Sequence, residues 1–206
     1  MKIKKSTIII LVISWILFLG ACLVAFYQLE QMKEARITNE KIFKDKSTEQ
    51  ISDEPEEYAE VREFMADYYS CIQNNDQQKL KSMVEDSQEM KKQQDSLKQY
   101  IEEYQSLIYK VESVEDTKDY IVYVSYQLKI KGIKTPAPGM TPYYLKRQGD
   151  SFVIRNNEDH DTDAIRAAKQ KSLARKENQD LIQKVNEDYE EAVKSDDQLK
   201  DFLKDE

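Results

Sequence analysis

The sequence predicts an α+β protein, because its hydrophobic period changes twice along the chain. Apolar residues recur at three- and four-residue steps from Tyr58 to Tyr104, alternate at steps of two from Ser106 to Arg155, and return to helical spacing from Ile165 to Leu203. A near-continuous apolar run close to the N-terminus adds one membrane-spanning helix ahead of this pattern. With four glycines and four prolines in 206 residues, the chain is too poor in turn formers for a β-sandwich.

From Ile8 to Tyr27 the sequence reads IIILVISWILFLGACLVAFY, and Ser14 is its only clearly polar member. A helix of that length spans about 30 Å, the thickness of a bilayer's hydrocarbon core. Residues 1–6 read as a cytoplasmic tail, held inside by Lys2, Lys4 and Lys5, and 7–27 as a single-pass anchor in the cell membrane. Everything after Tyr27 is then expected outside the cytoplasm. Leu19-Gly20-Ala21-Cys22 has the form of a lipobox and makes Cys22 a candidate lipidation site after signal cleavage. The apolar run continues through Leu23-Val24-Ala25-Phe26-Tyr27, where a lipoprotein carries a polar tether, so the uncleaved anchor is the preferred reading.

Residues 28–54 form a charged stalk too sparse in apolar side chains to build a core, with a capping-box pattern at Ser47-Thr48-Glu49-Gln50. A helix is predicted over 55–74, with Tyr58, Val61, Phe64, Met65, Tyr68, Cys71 and Ile72 on one stripe. Asn74-Asn75-Asp76 ends it, and Asp76 caps a short helix carrying Leu80, Met83 and Val84. Ser87 is read as the cap of a third helix, continuing through Met90, Leu97, Tyr100, Ile101 and Tyr104.

Strands are predicted at 106–115, 119–132, 140–148 and 151–155. In the second, Tyr120, Val122, Val124, Tyr126, Leu128 and Ile130 make one wholly apolar or aromatic face. The other face runs from Ile121 and Tyr123 to Ser125, Gln127 and Lys129, which predicts a sheet covered on one side. Thr135 to Gly139 is the connection, Gly139 being the expected source of a positive φ, and Gly149-Asp150 is a tight turn. Helix returns from Ile165, with a stripe of Leu181, Ile182, Val185, Tyr189, Ala192 and Val193. Ser195-Asp196-Asp197-Gln198 opens a last helix in capping-box form.

Three helical segments followed by a long-stranded antiparallel sheet resemble the NTF2-like, cone-shaped α+β superfamily. The stretch from Tyr120 to Ile154, with its Tyr/Val strand leading to Pro136-Ala137-Pro138-Gly139, is similar to membrane-anchored NTF2-like proteins of Gram-positive bacteria, a group without an established activity. So is the ending Val185-Asn186-Glu187-Asp188-Tyr189-Glu190-Glu191-Ala192 with Asp197-Gln198-Leu199. The resemblance implies an NTF2-like domain over 55–160, helices on one face of a bent antiparallel sheet, and a C-terminal helical segment over 161–206. It also implies a cone-shaped cavity between helices and sheet, which Tyr68, Tyr104, Tyr120, Tyr126 and Tyr144 would line. Ordinary aromatic core packing is the plainer expectation for these tyrosines.

No catalytic set is expected. His160, the one histidine, stands in the polar stretch 156–163, whose acids suit a helix N-terminus. Asp159, Asp161 and Asp163 alternate like the first ligands of an EF-hand, but Ala164 and Gln170 stand where that loop needs glycine and glutamate, so no metal site is expected. Cys71 lies too far from Cys22 in kind of environment to pair with it, and no CxxC or Cys/His metal spacing occurs. With 31 basic against 39 acidic residues, net −8, the field repels phosphate backbones and nucleic acid is not an expected partner. The sequence is read as an extracytoplasmic, membrane-anchored binding or scaffold protein without catalysis or cofactor. Its expected partner is a protein or cell-envelope component, or a second copy in a homodimer. A subunit of a conjugation or type IV secretion channel is the first alternative. A SnoaL-like small-molecule enzyme is the second, disfavoured by the missing His/Asp dyad.

Overall fold

Three helices, four strands and three further helices follow one another along residues 56–204, which the computed structural model describes. The anchor at 7–27, Cys22, the stalk at 28–54 and its capping box lie outside the described residues. Among the described residues no helix is long and apolar enough to cross a membrane.

Helix α1 (Glu56–Asn74) ends where Asn75 turns back at φ 55°. Asp76 caps α2 (Gln77–Met83) by accepting from the Lys79 backbone N–H. The cap of α3 (Ser87–Leu97) is Asp86 rather than Ser87, and its carboxylate accepts from the Gln88 and Glu89 N–H groups. Helix α3 stops at Leu97, and three residues separate it from the strand β1 (Ile101–Ser113). Tyr104 therefore belongs to that strand, not to the predicted helix. Strand β2 (Tyr120–Ile130) pairs antiparallel with β1 and with β3 (Ala137–Gln148), which pairs with β4 (Ser151–Arg155), giving the order β1-β2-β3-β4.

A register shift between Gln105 and Ile108, with Ser106 at φ 52°, marks a bulge in β1. Gly149 takes φ 61° in the two-residue turn between β3 and β4, a conformation a side chain resists. Gly139 has another role than the predicted one. It lies inside β3 opposite Tyr126, without a positive φ, and a Cβ there would sit 2.6 Å from Tyr126 Cε2. The glycine leaves room for that ring.

One sheet face carries the predicted stripe. Tyr120, Val122 and Val124 pack with Val61, Met65, Tyr68 and Cys71 of α1, Leu80 and Met83 of α2 and Met90 of α3. The second face departs from the expectation of a sheet covered on one side. Ile121, Tyr123, Met140 and Tyr144 are buried beneath α4 (Asp163–Leu173) and α5 (Lys176–Ser195), against Ile165, Ala168, Leu181, Ile182 and Val185. Tyr123 retains only 1 % of its accessible surface. The C-terminal segment is thus a second covering layer. Ser125, Gln127 and Lys129, further along the same face, are half-buried, so the polar part of the strand is also partly sheltered.

Helix α6 (Asp197–Lys204) closes the far end of the sheet. Leu199 is fully buried with Ile130, Ile133 and Ala137, and the Phe202 ring meets Tyr100 edge-on at 5.8 Å. Asp196 starts this helix, accepting from the Gln198 and Leu199 N–H groups, while its second oxygen accepts from the Thr135 N–H at 3.2 Å. The β4 edge is also covered: the Glu85 N–H donates to the Ile154 carbonyl, and Asn156 clamps the Asp86 backbone through both its amide atoms.

Because both faces are covered, Tyr123→Ala is expected to cost about 3–5 kcal/mol, as for large aromatic truncations in cores. Ile108→Ala, on a side chain 67 % exposed, is expected to change stability by under about 0.5 kcal/mol. Urea unfolding of the two variants beside the parent checks both values.

Candidate functional site

Three places gather polar or aromatic side chains beyond what packing alone requires. The first is the aromatic layer between α1 and the sheet. Tyr69 meets Tyr104 at 5.2 Å and Tyr143 at 6.2 Å between ring centroids, and Tyr104 meets Tyr126 at 5.1 Å. Tyr68 meets Tyr143 at 5.7 Å, and all of these contacts are edge-to-face. The Tyr69 and Tyr143 hydroxyls bond each other at 3.0 Å, and the Tyr126 hydroxyl bonds Thr141 Oγ1 at 3.1 Å. Burial raises the pKa of Tyr68, Tyr69, Tyr104, Tyr126 and Tyr143 above the phenol value, with neighbouring tyrosines adding to the effect at Tyr69, Tyr104 and Tyr143.

Of the residues predicted to line a cavity here, Tyr68, Tyr104 and Tyr126 come together. Tyr120 lies further along the same face between Tyr58 and Phe152. Tyr144 is on the opposite face, its hydroxyl donating to Asp119 Oδ2 at 2.8 Å. Tyr143, its neighbour in β3, takes the inward position instead, and Tyr69 joins from α1. Tyr69 was legible in principle, because it stands four residues after Met65 and widens the same stripe.

The second place is a polar cluster under α4 and α5. Glu112, 6 % exposed, accepts from Ser172 Oγ at 2.7 Å on one carboxylate oxygen and from Asn178 Nδ2 at 2.8 Å on the other. Ser172 in turn bonds the Tyr123 hydroxyl at 2.8 Å. Lys110 Nζ donates to Asn178 Oδ1 and lies 3.5 Å from Glu112, and Arg175 lies 3.5 Å from the other carboxylate oxygen. Burial pushes the Tyr123 pKa up to about 12. None of these residues was singled out by sequence reasoning. The available signal was a polar residue on an apolar stripe: Ser172 follows Ile165 and Ala168, and Asn178 precedes Leu181 and Ile182 by one turn.

A cleft of about 260 Å³ opens beside this cluster, between α4 and the β1–β2 hairpin. Its floor is Ile121, Tyr144 and Val114, and its α4 wall is Ala164, Ala167 and Ala168. Lys171 bridges the mouth to Glu115 at 2.5 Å, both side chains being more than half exposed. That bridge lowers the pKa of Glu115 from the ordinary carboxylate value.

The third place is the acidic stretch before α4. Asp161 is buried and paired, with Arg155 at 3.0 Å on one oxygen and Lys169 at 2.6 Å on the other. Asp159 and Asp163 are exposed, and Thr162 is the cap of α4. The ladder is split, and its middle carboxylate already holds two cations. His160 is exposed, and its carbonyl takes a hydrogen bond from Arg155. Cys71 is a buried free thiol in the α1 core.

Comparison with protein families, with curated proteins and with solved structures finds no match.

Two outcomes follow from the clusters. The buried tyrosines prefer their neutral form in the fold, so their stabilisation is complete below pH about 10 and is lost as pH rises past the unfolded tyrosine value. Absorbance at 295 nm should show a late, cooperative tyrosine ionisation that coincides with loss of the circular dichroism signal. Glu112→Ala should cost about 2–4 kcal/mol, because it strands the Asn178 amide and two basic side chains that keep only part of their hydration. Thermal or urea unfolding reads this directly.

Proposed function

We propose that this chain is a non-catalytic binding or scaffold domain of the NTF2-like kind, held at the outer face of a cytoplasmic membrane by the apolar segment at residues 8–27. The observation that carries this reading is the tyrosine layer between α1 and the sheet. Its rings pack edge-to-face, two of its hydroxyls pair with each other, and a third bonds Thr141. An enzyme of the cone-shaped class would need a pocket with an oriented acid or base at this position. Phenols raised above their ordinary pKa are poor proton-transfer groups near neutral pH. Recognition then falls to the outside of the domain.

The order of helices and antiparallel strands along the chain supports the NTF2-like assignment. The asymmetry of Lys2, Lys4 and Lys5 before the apolar run supports the orientation. The second helical layer, α4 and α5, covers the sheet face that carries Ile121 and Tyr123. Self-association through that face is therefore not part of the proposal.

Protease added to intact, wall-stripped cells should remove the domain and leave an N-terminal stub; full protection of the domain would reject the orientation. Incorporation of labelled palmitate that disappears in Cys22→Ser would replace the spanning anchor with a lipid one. Cross-linking and capture from solubilised membranes should recover a specific envelope partner, and turnover of a small molecule by the purified chain would reject the non-catalytic reading.

A further inference from the structure

The cleft between α4 and the β1–β2 hairpin combines an apolar floor with charges of opposite sign on opposing walls. Lys171 and Arg175 stand one turn apart at the α4 end, and Glu115 and Asp116 stand at the hairpin tip. The cleft exists because Ala164, Ala167 and Ala168 present methyl groups where larger side chains would fill the space. Among the described residues, the Arg175 guanidinium makes no hydrogen bond. Glu112, its ion-pair partner at 3.5 Å, has one oxygen taken by Ser172 and the other by Asn178. Asp116, held at φ 58°, has no ion-pair partner among the described residues. Lys171 and Glu115 meet across the mouth, but as a pair 62 % and 69 % exposed they hold each other weakly.

We propose that this cleft binds a zwitterionic α-amino acid with an apolar side chain. The side chain rests on Ile121, Val114 and Tyr144, the carboxylate takes Arg175 and Lys171, and the ammonium takes Glu115 and Asp116. The ligand enters by splitting the Lys171–Glu115 bridge and giving each of those two side chains a new partner, while Arg175 keeps its place beside Glu112. Charge placement selects the zwitterion. Lys171 and Arg175 line one wall and Glu115 and Asp116 the other, so a ligand carrying a single charge would face one wall of its own sign. Size agrees. The cleft of about 260 Å³ lies just below the roughly 300–1,000 Å³ of drug-sized ligand sites, which suits a single amino acid. This inference rests on reading the chain as a binding domain, and it names the ligand class.

The test uses the full chain in phosphatidylcholine nanodiscs, with 4-fluoro-L-phenylalanine observed by fluorine NMR and empty nanodiscs as the blank. Protein-dependent line broadening is expected, with a Kd on the order of 0.1–1 mM for a ligand of this size held by exposed ion pairs, and L-leucine should reverse it. The analogues lacking the ammonium, 3-(4-fluorophenyl)propionate, or the carboxylate, 2-(4-fluorophenyl)ethylamine, should each bind about tenfold more weakly. Arg175→Gln should weaken the amino acid about tenfold. Ala167→Leu, at an exposed position on the cleft wall, should abolish binding with the circular dichroism spectrum unchanged. Absent broadening with folded protein, equal binding of the three probes, or full binding by Ala167→Leu would each overturn the proposal. Failure of the protease experiment would overturn the membrane orientation and leave this binding result standing.

Discussion

The Glu112 carboxylate joins more of the molecule than any other single group described. It sits on β1, reaches α4 through Ser172 and α5 through Asn178, and touches β2 indirectly through the Tyr123 hydroxyl on Ser172. A carboxylate this buried is costly unless every oxygen is satisfied, and here two donors and two cations satisfy it. The network therefore works as a register key. The placement of α4 and α5 on the sheet is the one that brings Ser172 and Asn178 to Glu112.

Fixing that second layer has consequences on both sides of the sheet. On its own side it buries Ile121, Tyr123 and Tyr144, and it sets α4 against the hairpin so that three alanines leave a cleft. It also delivers the chain to Asp196, whose carboxylate both starts α6 and holds the loop at Thr135. Helix α6 then carries Leu199 round the end of the sheet, onto Ile130 and Ala137. The end of the sheet beyond Ile130 is thus closed by the same chain segment that covers the second face.

The two layers are built from different chemistry. Under α1 to α3 the contacts are apolar and aromatic, and the polar atoms are tyrosine hydroxyls that find each other or Thr141. Under α4 and α5 an apolar patch lies next to an ionic one. The first kind of packing tolerates exchange of rings for similar rings; the second depends on particular partners, since removing one strands the others. Gly139 is the exception within the first layer, because the Tyr126 ring occupies the place of its missing side chain.

The sequence alone determined the succession of elements and the inward face of the central strand. Periods of 3.6 and 2 are imposed by local backbone geometry, so the α1 stripe and the Tyr120–Val124 face are legible without knowledge of any partner. Asp76 was legible as a cap for the same local reason. Tertiary structure alone decided that the other face is also covered, because Tyr123 followed by Ser125 and Gln127 reads the same whether helices or water lie over it. It decided which of Tyr143 and Tyr144 points inward, since adjacent tyrosines give no phase. It decided too that Glu112, Ser172 and Asn178 belong together. They are separated by 60 and 66 positions, and a hydrogen bond across that distance leaves no periodic trace in the chain.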